Sequence, residues 1–227
     1  MQLFDQLLQF TLFQGMSRDD LQQVAERTRF DFVKVAPGRP VVSEGDAAQH
    51  LCFLLTGQLE VVTTADDRSY AVSEVLHAPL LLQPEALFGY HQYYTRSFST
   101  LTDVSLLRLE KKEVVRLSDE FLVFRINLIN TFATQAQRAA HQPWQRCAET
   151  LGERIVRFLT QHCLYPAGHK TFHILMTQLA NELNDSRLNV SRALNAMASQ
   201  QLLELQRGRI VVPHLEAMSG IMTEQRR

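Results

Sequence analysis

Residues 175–213, LMTQLANELNDSRLNVSRALNAMASQQLLELQRGRIVVP, carry the pattern that decides the fold. Met176, Leu179, Ala180 and Leu183 recur at helical spacing and give a short first helix one apolar face. Ala180 falls where a second helix must cross, and its small side chain permits close approach. Asn184 falls at the turn, where a left-handed backbone is needed; after Gly, Asn tolerates that conformation best. Asp185 or Ser186 then offers an N-cap oxygen to the second helix. Along that helix Val190, Leu194 and Met197 point inward, which leaves Arg187, Asn189, Ser191, Arg192 and Asn195 outside. Leu202–Leu205 and Ile210–Val212 flank Gln206-Arg207-Gly208-Arg209, a hairpin with a basic tip. Helix, turn, helix and hairpin in this order predict a winged helix-turn-helix, which places its second helix in a DNA major groove.

The outward side chains suit that task. Arg matches a phosphate or the O6/N7 edge of guanine, and Asn matches adenine. A wing carrying Arg207 and Arg209 would meet the sugar-phosphate backbone. The expected DNA-contacting set is Thr177, Ser186, Arg187, Asn189, Ser191, Arg192, Arg207 and Arg209. Arg187 and Asn189 are the expected base readers, with Arg192 shared between base edge and phosphate. The plainer reading is an ordinary helical pair with solvated charges.

The length of 227 residues favours two domains, and a 45% apolar content is ample for packed cores. The formal net charge is −1, unevenly placed. Residues 143–227 hold ten Lys/Arg and seven Asp/Glu, and residues 1–142 hold thirteen and seventeen. A mildly basic C-terminal part fits DNA contact without deciding it. No 18-residue apolar run occurs, and the N-terminus lacks a basic region and a cleavage site, so neither a membrane span nor a signal peptide is expected. Cys52, Cys147 and Cys163 are scattered, without metal-ligand spacing, as expected of reduced thiols in a cytoplasm.

Toward the N-terminus, Leu7 to about Phe30 reads as helical, with Ser17 as a cap before Leu21, Val24 and Ala25. The period then changes. Phe30–Val35, Pro40–Val42, Leu51–Leu55 and Leu59–Thr63 are short strands punctuated by Gly38, Gly45 and Gly57, the pattern of a compact antiparallel barrel or jelly roll. Asp66-Asp67-Arg68 reads as a hairpin tip. Phe98–Leu101 and Val104–Leu109 are expected to pair and close the β part.

With these features in order, the chain resembles the Crp/Fnr transcription regulators over almost its whole length. The matching residues include the Pro37-Gly38 and Glu44-Gly45 turns, Phe53–Gly57, Arg96-Ser97, Ser186-Arg187 and Val190-Ser191-Arg192. The resemblance implies an α+β fold: an N-terminal antiparallel β-roll of the cyclic-nucleotide-binding type, a long dimerisation helix and a C-terminal winged helix-turn-helix. The expected divisions are residues 1–110, 111–142 and 143–227. RNA polymerase is a further expected partner.

Glu110 to about Gln142 lacks Gly and Pro, which predicts a helix of roughly 20–30 residues. Leu122, Ile126, Ile129, Ala133, Ala136 and Ala140 follow 4-3-4-3-4 spacing, a heptad seam, and Phe121, Phe124, Leu128 and Phe132 form a second row. One row can pack on the roll and the other on a partner helix. The alternative is a single helix with a wide buried face; the resemblance favours a parallel homodimer. Two recognition helices one DNA turn apart would read a palindromic operator.

In cyclic-nucleotide binders of this family a Gly-Glu pair and an Arg-Ser pair hold the cyclic phosphate and the ribose. Arg96, Ser97 and Glu85 match here as effector-binding candidates. Pro84 stands where the Gly would, removing an amide donor. The Thr-Ser pair that contacts the base has no counterpart near Arg138–Ala140. Cyclic AMP is therefore not the expected effector, and Arg96 could hold another anion or pair with Glu85. An iron–sulfur cluster would need N-terminal cysteines, and residues 1–51 have none. Haem would need an axial donor, for which His77, His91 and His141 are candidates, without a pattern that separates ligands from surface residues. Tyr90, Tyr93 and Tyr94 beside His91 could line a small pocket or pack as an aromatic patch. The effector stays open.

Leu188 stands where many relatives carry a Glu that accepts from cytosine, so the operator should differ from theirs. No phosphate-binding Gly-rich loop, nucleophile elbow or paired metal-binding His is present, and no enzymatic activity is expected. His169 and His173 are four apart, but Thr171–Leu175 reads as a strand. The competing functions are a ligand-sensing module acting on a protein partner and a haem-based gas sensor of the same family.

Overall fold

The computed structural model describes residues 3–144 and 147–219. In chain order the elements are α1 (Leu3–Leu7), α2 (Arg18–Arg27), β1 (Phe30–Val35), β2 (Pro40–Val42), β3 (His50–Thr56), β4 (Gln58–Thr64), β5 (Ala71–His77), β6 (Leu80–Leu82), β7 (Ser97–Thr100) and β8 (Val104–Glu110). Then come α3 (Lys111–Glu120), α4 (Leu122–His141), α5 (Leu151–Gln161), β9 (Lys170–His173), α6 (Met176–Glu182), α7 (Arg187–Ser199), β10 (Glu204–Gln206), β11 (Arg209–Val212) and α8 (Leu215–Ser219). They form two compact units, residues 1–59 with 76–145, and residues 60–75 with 146–227. The final residues of the expected C-terminal domain, 220–227, lie outside the described ones.

In the first unit, Ser17 caps α2 by accepting from the Asp20 amide at 3.1 Å. An antiparallel sheet runs β1-β8-β3-β6, and β2 pairs with β7. The expected pairing of Phe98–Leu101 with Val104–Leu109 is corrected: β7 pairs with β2, whereas β8 pairs with β1 and β3. The short crossing between them lies against Gly57. There φ is +94° and a Cβ would come within 2.5 Å of the Asp103 carbonyl, so only glycine fits. One face of the sheet packs on the helices through Phe53, Leu55 and Leu107 against Phe10, Phe13, Val114, Leu117 and Phe124.

The long helix expected between Glu110 and Gln142 is α4, 20 residues long, and the shorter α3 precedes it. The two are separated at Phe121, whose backbone is extended (φ −119°, ψ 104°) and whose ring packs on the core. The two rows of α4 then separate. Phe124 and Leu128 are buried, with Phe121 and Phe132 beside them. Leu122, Ile126 and Ile129 stand 58%, 47% and 57% exposed, and Ala133, Ala136 and Ala140 continue the exposed row.

The second unit holds a sheet ordered β10-β11-β9-β5 over a core of Ile155, Phe158, Leu159, Phe172, Leu179, Val190, Leu194, Ile210, Val212 and Leu215. The sequence division at residue 110 puts all of β4 and β5 in the N-terminal domain. Instead, residues 60–75 belong with the C-terminal unit. Ala71–Glu74 pairs antiparallel with Lys170–His173, and Val72 enters the C-terminal core beside Phe172. The hairpin tip is as read: Arg68 is left-handed at φ 56°, and its amide donates to Ala65.

Candidate nucleic-acid interface

The local chemistry of the second unit places α7 and the hairpin β10–β11. Helix α5 begins in a reciprocal cap: the Thr150 hydroxyl accepts from the Glu153 amide at 3.2 Å, and Glu153 reaches back to the Thr150 amide. Asn184 adopts the left-handed conformation at φ 48°. Ser186 caps α7, accepting from the Asn189 amide at 3.2 Å. Val190, Leu194 and Met197 are buried, so α7 is fixed by one face only. Arg187, Asn189, Arg192 and Asn195 are exposed along the other side and Ser191 is half-buried. Thr177 on α6 and Ser186 are exposed as well. Gly208 turns the wing at φ 70°, and Arg207 and Arg209 are exposed on it. Leu188, at the position expected to alter the operator, is 59% exposed.

A network absent from the sequence reading underlies the turn. Arg154 of α5 donates from Nη1 to the Leu183 carbonyl (2.6 Å) and from Nη2 to Asp185 Oδ2 (2.5 Å). The other oxygen of Asp185 accepts from the Ser186 amide (2.8 Å) and from Asn189 Nδ2 (2.9 Å). The Asn189 and Ser186 hydrogen bonds, with the Arg154 guanidinium, hold the Asp185 carboxyl below its ordinary pKa. The sequence offers Asp185 only as a cap and Arg154 only as a helix residue. No local spacing links two residues 31 positions apart.

The effector candidates lie in the first unit. Arg96 Nη1 donates to Glu85 Oε1 at 3.1 Å, and Gln135 of α4 donates to the other Glu85 oxygen at 3.3 Å. Ser97 Oγ accepts from the Glu44 amide at 3.0 Å. Pro84 is buried and opens a single 3-10 turn that follows a left-handed Gln83. A cyclic nucleotide does not fit this set. The amide that would meet the phosphate is gone, and the carboxylate and guanidinium are turned on each other. Arg96 Nε is buried with no hydrogen-bond partner. His77, His91 and His141 are all exposed. The aromatic cluster divides: Tyr90 is 95% exposed, with His91 between it and Tyr93, whereas Tyr94 is buried and donates to the His50 carbonyl at 3.2 Å. Among the described residues no helix is long and apolar enough to cross a membrane.

Fold and site together define a DNA-binding protein: a β-roll, a helix with an exposed apolar row, and a winged helix-turn-helix. Residues 32–121 match the family model of the cyclic nucleotide-binding domain, and residues 153–221 match the Crp-like helix-turn-helix domain. No curated protein sequence matches the chain. Among solved structures, the catabolite activator protein of Thermus thermophilus is similar at 21% identity and a TM-score of 0.54, over 95% of this chain and 99% of that one. The sensor domain of the transcriptional regulator DNR from Pseudomonas aeruginosa is similar at 18% identity and a TM-score of 0.51, over 65% of this chain and 93% of that one. The chain belongs to the Crp/Fnr family and is a DNA-binding transcription regulator.

Proposed function

We propose that the protein works as a homodimer that reads a palindromic operator through paired α7 helices, without catalysis of its own. The observation that carries this is the division of α4 into two rows. One row is buried in its own unit, while Leu122, Ile126 and Ile129 stay exposed on a helix that its own core already holds. An apolar row at heptad spacing is the seam of a helix pair, and a second copy of the same helix supplies the complementary row. Arg187, Asn189 and Arg192 would meet base edges and nearby phosphates, and Thr177, Ser186, Ser191, Arg207 and Arg209 would hold the backbone. Such a regulator acts on cytoplasmic DNA and passes its output to RNA polymerase. Cyclic nucleotides do not gate it; a small anion at Arg96 is the effector chemistry that the β-roll residues support.

The test is a binding selection from randomised duplex DNA with the purified full-length protein. Recovery of an inverted repeat with half-sites about one DNA turn apart, bound with a steep salt dependence, is expected. Recovery of no preferred sequence would overturn the reading and favour a protein partner for the winged helix.

A further inference from the structure

Asn189 is a base-reading candidate whose side chain is already engaged. Its Nδ2 lies 2.9 Å from Asp185 Oδ1, and its backbone amide is held by Ser186 Oγ. An ionised carboxylate can only accept, so the group facing Asp185 must be the NH2 and not the carbonyl of the carboxamide. That removes the flip ambiguity of an exposed Asn. One N–H goes to Asp185, and the second N–H and Oδ1 remain. These two are the groups that pair with N7 and N6 of adenine.

Asp185 is itself fixed. Oδ2 takes Arg154 Nη2, and Arg154 also grips the Leu183 carbonyl at the end of α6. Oδ1 takes the Ser186 amide as well as Asn189. The chain of contacts therefore runs from α5 through the turn to the carboxamide on α7. We infer that Asp185, anchored by Arg154, is a positioning residue for sequence readout, orienting Asn189 to read an A·T pair in the major groove. This rests on α7 being the recognition helix. A carboxamide oriented before binding loses less rotamer freedom on the DNA, and a wrong base leaves its two free groups unpaired.

The isosteric Asp185→Asn is the decisive variant. It keeps size and shape but puts an NH2 where one of the two donor sets must find an acceptor. Selections from randomised duplex DNA with wild type, Asn189→Ala, Asp185→Asn and Arg154→Ala should agree on one base pair per half-site. Wild type prefers A·T there, and Asn189→Ala loses the preference. Asp185→Asn and Arg154→Ala each reduce it by roughly tenfold, about the worth of one good polar contact, with other positions of the motif retained. Thermal unfolding of each variant accompanies the selections. A motif unchanged in Asp185→Asn, or affinity lost evenly over all sequences, overturns the inference and leaves Asp185 a structural residue. A different base at that pair in the wild type, or an unaltered motif in Asn189→Ala, overturns it too. A wild type with no motif fails the proposed function instead.

Discussion

Glu74 and Lys170, 96 positions apart, form a buried ion pair: Lys170 Nζ lies 2.6 Å from Glu74 Oε2, with the side chains 2% and 1% exposed. Glu74 Oε1 also accepts from the Leu164 amide at 2.8 Å. The pair sits where Glu74 faces Lys170 in the β5–β9 ladder. It fastens a hairpin from the first half of the chain to the sheet that ends in the wing.

Removing one partner leaves an uncompensated buried charge. Lys170→Met should therefore destabilise the C-terminal unit by about 3–5 kcal/mol, and adding Glu74→Gln should recover part of the loss by removing the stranded carboxylate. Urea unfolding gives the free energies. Amide hydrogen exchange in Thr171–His173 locates the loss, because those amides lie in the ladder that would open first. Equal stability of wild type and Lys170→Met would show that the pair does not hold the hairpin.

The same ladder predicts a pH dependence. Ser73 Oγ lies 3.1 Å from His173 Nε2. Burial first, and the Arg209 charge second, push the His173 pKa below its ordinary value of 6.5. The folded state thus favours the neutral ring, while the unfolded chain protonates near the ordinary value. The stabilising contribution is present above pH 6.5 and is lost as pH falls toward the lowered folded pKa. Stability should decline from pH 6.5 downward, and His173→Gln should flatten that decline in urea titrations between pH 5 and 8.

These ties were the part of the molecule least legible in the sequence. The α6–α7 pair could be read because Met176, Leu179, Val190 and Leu194 repeat within a turn or two and Asn184 marks the left-handed bend. The exposed apolar row of α4 could be read for the same reason. The β5–β9 pairing joins segments about a hundred residues apart, and a strand carries no signal of which distant strand it will meet. The break at Phe121 lacks Pro and Gly; a core position claims its ring, and the backbone follows. Asp185 reads as a cap because the donors to its Oδ1, the Ser186 amide and the Asn189 carboxamide, are local, whereas its anchor, Arg154, is remote.

On the DNA face, base reading and backbone holding should separate by measurement. Arg187→Ala should cost about 1–3 kcal/mol on the selected operator and erase preference at its base pair. Arg207→Ala or Arg209→Ala should weaken all sequences alike and lower the slope of log affinity against log salt by about 1 each. Fluorescence anisotropy at several salt concentrations, on operator and scrambled duplexes, distinguishes the two. An Arg187→Ala protein that keeps its operator preference would remove that residue from the readout.

The Glu85–Arg96 pairing predicts indifference to cyclic nucleotides. Cyclic AMP and cyclic GMP, titrated calorimetrically into the full-length protein, should give no saturable heat and leave operator affinity unchanged. Glu85→Gln removes the opposing charge and exposes the guanidinium to inorganic phosphate, which should then bind more tightly than to wild type. Tight nucleotide binding by the wild type would mean that the Pro84 turn rearranges to admit it.

The exposed row of α4 supplies the remaining prediction. Ile129 is more than half exposed, so Ile129→Glu removes little packing within its own chain, and the isolated fold should persist. In a parallel helix pair the same substitution sets two carboxylates near the symmetry axis in an apolar seam. Like charges there both repel and lose water, so the pair should dissociate. Sedimentation velocity should show a dimer for wild type and a monomer for Ile129→Glu at micromolar concentration. A monomer holds one half-site only, so affinity for the full inverted repeat should fall to that for a single half-site. Ile129→Leu keeps the apolar row and should restore both. A charged variant that stays dimeric would place the interface elsewhere than on Leu122, Ile126 and Ile129.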